Sequence, residues 1–153
     1  MDCAKAVGAR IARPRKTLDK MEGILQVWKK LPLLIAIPTT AGTGSETTLA
    51  AVITDSRTRH KYPINDFVLI PRYAVLDPEV TRGLPPAVTA TTGMDALTHA
   101  VEAYVSTNAT PVTDACAQKA IELITKYLRT AVHEGKNVEA RENMAYAEYL
   151  AGM

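Results

Sequence analysis

Several residue types that would place the chain in a specialised class of protein are scarce. Only two of its 153 residues are cysteines, Cys3 and Cys116, and neither has a CxxC neighbour. Isolated cysteines are typical of a reducing compartment, although a single bridge between them stays open. The chain has one Trp, one Phe and a net charge of only +2. It therefore lacks the basic and aromatic surface that binds nucleic acid, and we expect no nucleic-acid partner.

Long apolar runs are absent as well. The longest, residues 31–37, is interrupted by Pro32 and is too short to span a bilayer. Residues 1–8 lack the apolar core of a secretory signal. With 47% hydrophobic and 22% charged residues, the chain can bury a core and is not disordered. We therefore expect a cytoplasmic protein with no membrane partner.

The first half of the chain has the pattern of an α/β domain. Residues 1–12 predict a helix, and the apolar run 33–37 predicts a strand covered on both faces, as in a parallel sheet. Residues 50–54 and 73–77 look similar, and the polar segment 55–59 predicts a turn between two strands. We expect this α/β part to occupy residues 1–82.

The second half has helical periodicity and is predicted to be all-helical over residues 83–153. Thr110 is a candidate N-cap with Pro111 at the first helical position, and Gly135 ends that helix. Asn137 is a candidate cap for another helix. The predicted buried stripes of the two helices are Ala117, Ile121, Ile124, Leu128 and Ala131, then Ala140, Met144 and Ala147. Both ends of the chain look cut, so we expect it to be the middle of a larger protein.

A glycine- and hydroxyl-rich loop, residues 38–46, directly follows a predicted strand. Ligands bind beyond the carboxyl ends of the strands in open α/β sheets. Gly42 and Gly44 would allow close approach of a ligand, and the hydroxyls of Thr39, Thr40 and Thr43 could contact it. The loop is neither a GxGxxG fingerprint nor a Walker loop, so a turn that satisfies its own backbone is the alternative.

Asp95 and His99 form the second candidate site. A spacing of four places the carboxylate and the imidazole on one helix face, where they could bind one metal ion. Their apolar neighbours predict a partly buried position. The alternative is an Asp–His hydrogen bond that only stabilises the helix.

The remaining histidines and lysines have simpler explanations. His133 is expected to interact with the helix dipole near Gly135. His60 and Lys61 follow the predicted turn and are expected to be solvated, although Lys61 could reach a phosphate or ribose. The sequence assigns no catalytic residue.

Three stretches, taken together, resemble the iron-containing (group III) alcohol dehydrogenases. They are IPTTAGTGSE at residues 37–46, LPP at 84–86 and GMDALTHAVEAY at 93–104. The similarity covers essentially the whole chain, with the motifs in family order and spacing.

The resemblance implies a dehydroquinate synthase-like architecture. In it, a Rossmann-like α/β domain that binds NAD or NADP precedes a helical domain that binds a divalent metal, with the active site in the cleft between them. The chain would contain an incomplete parallel sheet, because the GGGS pyrophosphate loop of the family would lie before Met1. Thr39, Thr40 and Thr43 match cofactor-contacting threonines, and Thr48 and Lys61 match further positions that face the nucleotide.

The resemblance also implies a metal site and an activity. Asp95 and His99 match the first two of four ligands to Fe²⁺, or to Zn²⁺ in some members, and the other two histidines would follow Met153. The implied activity is hydride transfer between NAD(P) and a primary alcohol or aldehyde, performed by the full-length parent as a homo-oligomer. We expect the isolated chain to be a poor enzyme. The alternatives are a non-catalytic remnant that acts as an oligomerising interaction domain, or a polyol or glycerol-type dehydrogenase of the same superfamily.

Overall fold

A computed structural model describes all residues, 1–153, and contains four α-helices and five short strands. The chain divides into two compact units. The first, called here the α/β unit, comprises residues 1–36 and 45–74, and the second, the helical unit, comprises residues 37–44 and 75–153. The elements are α1 (Asp2–Ala12), β1 (Gly23–Ile24), β2 (Ile35–Ala36), β3 (Ala50–Thr54), β4 (Lys61–Asn65), β5 (Tyr73–Ala74), α2 (Pro86–Tyr104), α3 (Pro111–His133) and α4 (Val138–Ala151).

The α/β unit contains a three-stranded sheet in the order β1-β4-β3. Strand β1 runs parallel to β4, whereas β3 pairs with β4 in the antiparallel direction, with Ala50 opposite Asn65 and Thr54 opposite Lys61. The turn predicted at residues 55–59 joins these strands, and the Asp55 carboxylate accepts the Arg57 N–H at 2.8 Å. The strand at 50–54 and its turn are confirmed. The sheet is mixed rather than purely parallel.

Strands β2 and β5 form a separate, parallel pair in the same unit. Ile35 lies opposite Tyr73, and Ala36 opposite Ala74. The strands predicted in the runs 33–37 and 73–77 are therefore present and parallel to each other, but they are shorter than those runs. The prediction that the strand in residues 33–37 is covered on both faces is wrong for this chain, because Leu33 and Ile35 are 66% and 50% exposed.

Helix α1 packs against β3 and, with that sheet, covers the core of the α/β unit. The Asp2 carboxylate accepts the Val52 N–H at 3.1 Å, which fixes the start of the helix on the strand. The core residues of this unit are Ala9, Met21, Val27, Ala51, Tyr62, Ile64 and Leu69. Burying this apolar surface is the main stabilising contribution to the unit.

In the helical unit, α2, α3 and α4 pack against one another around a core rich in alanine. Thr110 caps α3 in a reciprocal capping box with Thr113, and Asn137 accepts the Ala140 N–H at 3.1 Å to cap α4. Both predicted helix starts are confirmed. The core residues are Ala41, Ala96, Ala100, Ala120, Leu123, Ile124, Ala131, Ala140, Met144, Ala147 and Ala151.

The predicted order of an α/β part followed by a helical part is confirmed. The loop at 37–44 clusters with the helices in this structure, while the predicted domain boundary at residue 82 concerns the parent protein and stays a prediction. Cys3 and Cys116 are both free. None of the helices has the length and apolar composition needed to cross a membrane.

Candidate active-site loop and metal helix

The loop at residues 37–44 packs directly on helix α2. A Cβ atom added to Gly42 would lie 2.5 Å from the carbonyl oxygen of Thr92, and real Cβ atoms do not approach backbone so closely. Gly42 is therefore required by the packing of the loop against the helix, while its predicted role of admitting a ligand stays a prediction. Thr92 lies one helical turn before Asp95, so the two candidate motifs are neighbours within one compact unit.

A second contact holds the end of the loop. Gly44 has a φ of +56°, a left-handed conformation that suits glycine. Its N–H donates a hydrogen bond of 2.9 Å to Oε1 of Glu148 on α4. Glu148 is only 1% exposed. A side chain of α4, 104 residues after Gly44, thus holds the end of the loop.

The threonines of this loop are accessible to a ligand. Thr39 and Thr43 are exposed and Thr40 is half-buried, whereas Ala41 and Gly42 between them are buried. The loop therefore presents hydroxyl groups outward while its small residues contact the helices. Hydroxyl groups can both donate to and accept from the polar groups of a nucleotide.

Asp95 and His99 lie on one face of α2, as their spacing predicts. Asp95 Oδ1 and His99 Nε2 are 3.8 Å apart, and the side chains are 47% and 37% exposed. The distance is too long for a hydrogen bond, so the purely helix-stabilising alternative is not formed. The partly buried position predicted from apolar neighbours holds for His99, which is half-buried, whereas Asp95 and its neighbour Met94 are exposed.

The oxygen and nitrogen donors of this pair suit a divalent transition metal. No third His, Cys, Asp or Glu joins them in the described chain to make a group of three that could hold a metal ion. His133 is the last residue of α3 and is exposed, and His60 belongs to the α/β unit. The chain thus offers two candidate donors, which are fewer than the three or four protein ligands of typical zinc sites.

Thr48 and Lys61, the other two predicted cofactor residues, belong to the α/β unit. Lys61 begins β4 and is exposed. Thr48 is bound by Lys5, whose ammonium donates to the Thr48 carbonyl oxygen at 2.7 Å, to its hydroxyl at 3.2 Å and to the Ala50 carbonyl oxygen at 2.9 Å. Lys5 is completely buried, and this burial lowers its pKa to about 8, although Asp2 and Glu46 act in the opposite direction.

Glu46 is a second buried charged group in the α/β unit. It is 3% exposed, and neither of its carboxylate oxygens has a hydrogen-bond partner. Burial raises the pKa of Glu46, while its own backbone amide and the nearby Lys5 ammonium partly offset that rise. A carboxyl group in this environment is held closer to its neutral form than an exposed one.

Four buried charged residues were not predicted from the sequence: Lys5, Glu46, Arg141 and Glu148. Arg141 donates to the Thr89 hydroxyl at 2.8 Å and to the Gly135 carbonyl oxygen at 2.9 Å, and burial lowers its pKa. The available signal was the position of Lys5 and Glu148 on otherwise apolar helical stripes. Lys5 is four residues before Ala9, and Glu148 is four after Met144.

Comparison with known proteins assigns the chain to a family. The model for iron-containing alcohol dehydrogenase matches residues 1–78, and the model for the C-terminal part of the Fe-containing alcohol dehydrogenase family matches residues 89–153. The chain belongs to the iron-containing alcohol dehydrogenase family. This confirms the resemblance found in the three sequence motifs.

Curated relatives in the iron-containing alcohol dehydrogenase family are markedly longer than this chain. Alcohol dehydrogenase 4 of Schizosaccharomyces pombe is 55% identical over 152 residues, which are 99% of this chain and 36% of the relative. The NAD-dependent methanol dehydrogenase of Bacillus methanolicus is 50% identical over 152 residues, with 99% and 40% covered. The chain thus spans well under half the length of these relatives.

Solved structures of the family have the same fold. A 1,3-propanediol oxidoreductase matches with a TM-score of 0.94 and 47% identity, covering 99% of this chain and 39% of that structure. The sulfoacetaldehyde reductase of Bifidobacterium kashiwanohense, in complex with NAD⁺, matches with a TM-score of 0.88 and 40% identity, covering 99% and 40%. The predicted fold class is confirmed by these similarities.

Proposed function

We propose that the chain contributes the cofactor loop and two metal ligands to an NAD(P)- and metal-dependent dehydrogenase that interconverts a primary alcohol and its aldehyde. The observation that carries this proposal is the contact of Gly42 with Thr92. It joins residues 37–44, called here the threonine loop, to the turn of α2 just before Asp95. Because both motifs share one compact unit, the loop and the metal ligands have a fixed relation to each other. The names of the relatives, a methanol dehydrogenase and a propanediol dehydrogenase, support a small alcohol as substrate.

The chain's residues are suited to binding and orienting the two cofactors. In this proposal, Thr39, Thr40 and Thr43 contact NAD or NADP and orient its nicotinamide. Thr48 and Lys61 are further proposed contacts of the nucleotide. Asp95 and His99 hold Fe²⁺ or Zn²⁺ through one oxygen and one nitrogen donor. The bound metal supplies Lewis-acid polarisation of the alcohol oxygen, and the nicotinamide supplies the hydride chemistry.

Two donors alone hold a metal weakly, so the activity is proposed for the parent protein, and the isolated chain is proposed to be a poor enzyme. We further propose that the parent protein works in the cytoplasm as a homo-oligomer. The exposed apolar side chains of Ile35 and Tyr73 on the β2–β5 pair, and of Leu33 just before β2, support association.

Calorimetric titration of the 153-residue chain with Fe²⁺ under anaerobic conditions, and with Zn²⁺, tests the metal site. We expect weak binding in the wild type, as two donors imply, and its loss in His99→Ala. His133→Ala is the matched control, because it removes a histidine from a helix of the same unit outside the site. Equal binding by the wild type and His99→Ala would contradict the assignment of Asp95 and His99, whereas absence of binding by the wild type would show that the isolated chain holds no metal with these two donors alone.

A further inference from the structure

We propose that Glu148 is a positioning residue that fixes the threonine loop in its cofactor-binding shape. This inference rests on the function proposed above, since it concerns the loop to which we assign the nucleotide. Glu148 itself does not need to touch the cofactor. It acts through the backbone of Gly44.

The contact is short and buried. Glu148 Oε1 accepts the Gly44 N–H at 2.9 Å, and the carboxylate is almost completely removed from solvent. Hydrogen bonds from a backbone N–H to a carboxylate are stronger than those between neutral groups, and a low-dielectric surrounding strengthens them further. One side chain of α4 therefore fixes a loop that is distant in sequence.

The loop is held at two adjacent points on different helices. Gly42 is pressed against the backbone of Thr92 on α2, and Gly44 is bound by Glu148 on α4. Thr43 lies between these two glycines and is exposed. The backbone that carries its hydroxyl is therefore held on both sides, and a loop held only at Gly42 would lose one of these two constraints.

The surroundings of Glu148 on its own helix do not call for a charge. Met144 and Ala151, one turn on either side, belong to the apolar core of the helical unit. Burying a carboxylate costs free energy that a methionine at the same place would not. Helix packing alone would thus be served better by an apolar residue, so the polar contacts of this carboxylate, among them the hydrogen bond to the loop, account for the glutamate.

Three variants separate positioning from packing. Glu148→Met removes the acceptor while preserving length, helix propensity and apolar packing. Glu148→Gln keeps a carbonyl oxygen that can accept the Gly44 N–H. Glu142→Met makes the same change on the exposed face of α4 and is the matched control.

The first measurement is amide hydrogen exchange at Gly44 in the purified chain, referenced to the Ala100 amide within α2. We expect exchange in Glu148→Met to be faster by about tenfold or more, with Glu148→Gln and Glu142→Met close to the wild type. Thermal unfolding of the four proteins measures any global loss of stability in Glu148→Met, where the buried Gly44 N–H has lost its acceptor. Unchanged Gly44 exchange in Glu148→Met, or equal acceleration in Glu148→Gln, would overturn the proposal.

The second measurement is NADH binding by the same four proteins, followed by nucleotide fluorescence. We expect Glu148→Met to bind at least about tenfold more weakly and Glu148→Gln within a few-fold of the wild type. Equal binding by Glu148→Met and the wild type would overturn the link to the cofactor. If the wild type binds no NADH while the exchange pattern holds, the loop-positioning role of Glu148 stands and the nucleotide-binding function proposed for this chain fails.

Discussion

The ammonium nitrogen of Lys5 lies 2.7 Å from the carbonyl oxygen of Thr48 and 3.2 Å from its hydroxyl. This buried contact joins the first helix to the segment that leads into β3. It also places a charged group in a site without solvent, close to Asp2 and Glu46. The stability of the α/β unit should therefore depend on pH through these groups.

Lys5 is expected to make the protein more stable as the pH rises through the alkaline range. Its pKa is lowered from 10.5 to about 8 in the folded chain. Between those two values the folded state has lost the proton and the unfolded state still holds it, so the free energy of unfolding increases with pH. A shift of this size corresponds to at most about 3 kcal/mol.

Urea unfolding of wild type and Lys5→Met between pH 7.5 and 10 checks this expectation. The difference in unfolding free energy, wild type minus variant, should rise across that range, because the variant has no amine to titrate. Tyrosines, cysteines and the other lysines titrate in both proteins and cancel in the difference. A difference that is flat with pH would show that the Lys5 pKa is not lowered.

Glu46 is expected to have the opposite effect on the acidic side. Because burial raises its pKa, the folded state keeps the proton in a range just above pH 4.5 where the unfolded state has released it. Stability from this group therefore falls as the pH rises through that range. Glu46→Gln should be more stable than the wild type at pH 7, with the advantage shrinking below pH 4.5.

Chemical denaturation of Glu46→Gln at pH 4 and pH 7 measures this effect. Glu142→Gln, which changes an exposed carboxylate on α4, is the control and should leave stability nearly unchanged at both values. A Glu46→Gln protein that is less stable than the wild type at pH 7 would mean that the buried carboxylate has a stabilising partner.

The sequence predicted the helices far better than the buried polar contacts, for a physical reason. Helix starts depend on local chemistry, and Thr110 with Pro111, or Asn137, contain the whole signal within a few residues. The partners of Lys5 and Glu148 lie 43 and 104 residues away, respectively, and no local pattern records them. The order of an α/β part and a helical part was predictable from periodicity, whereas the exposure of Ile35 depends on which other strands and helices are present to cover it.

In the candidate site, too, local geometry was predictable and contacts between distant residues were not. The i, i+4 spacing was sufficient to place Asp95 and His99 on one face of α2, because helix geometry fixes that relation. The reason for Gly42 was not predictable. Loop glycines suggest ligand approach, but the nearest atoms to this one are those of Thr92, and only the packed structure reveals that contact.

Gly42→Ala should destabilise the protein and disturb the threonine loop. The new methyl group would meet the Thr92 carbonyl oxygen at 2.5 Å, and helix backbone cannot move aside as a side-chain end can. Overpacking of this kind costs about 1–3 kcal/mol. Gly83→Ala is the matched control, because nothing lies within 4 Å of its added Cβ. Equal thermal stability of the two variants would contradict the tight contact between loop and helix.

Gly93→Ala should cost less than Gly42→Ala even though its nominal clash is closer. The added Cβ would lie 2.2 Å from Leu128 Cδ1, but that atom is the end of a flexible side chain on α3, which can rotate away. The remaining loss of unfolding free energy should therefore come from the contact between the new methyl group and Leu128. In a double-mutant cycle, Leu128→Ala should reduce the cost of Gly93→Ala by about 1 kcal/mol, because the shorter side chain leaves room for the methyl group. Additive unfolding free energies for the two substitutions would show that α2 and α3 separate as rigid helices instead of Leu128 adjusting between them.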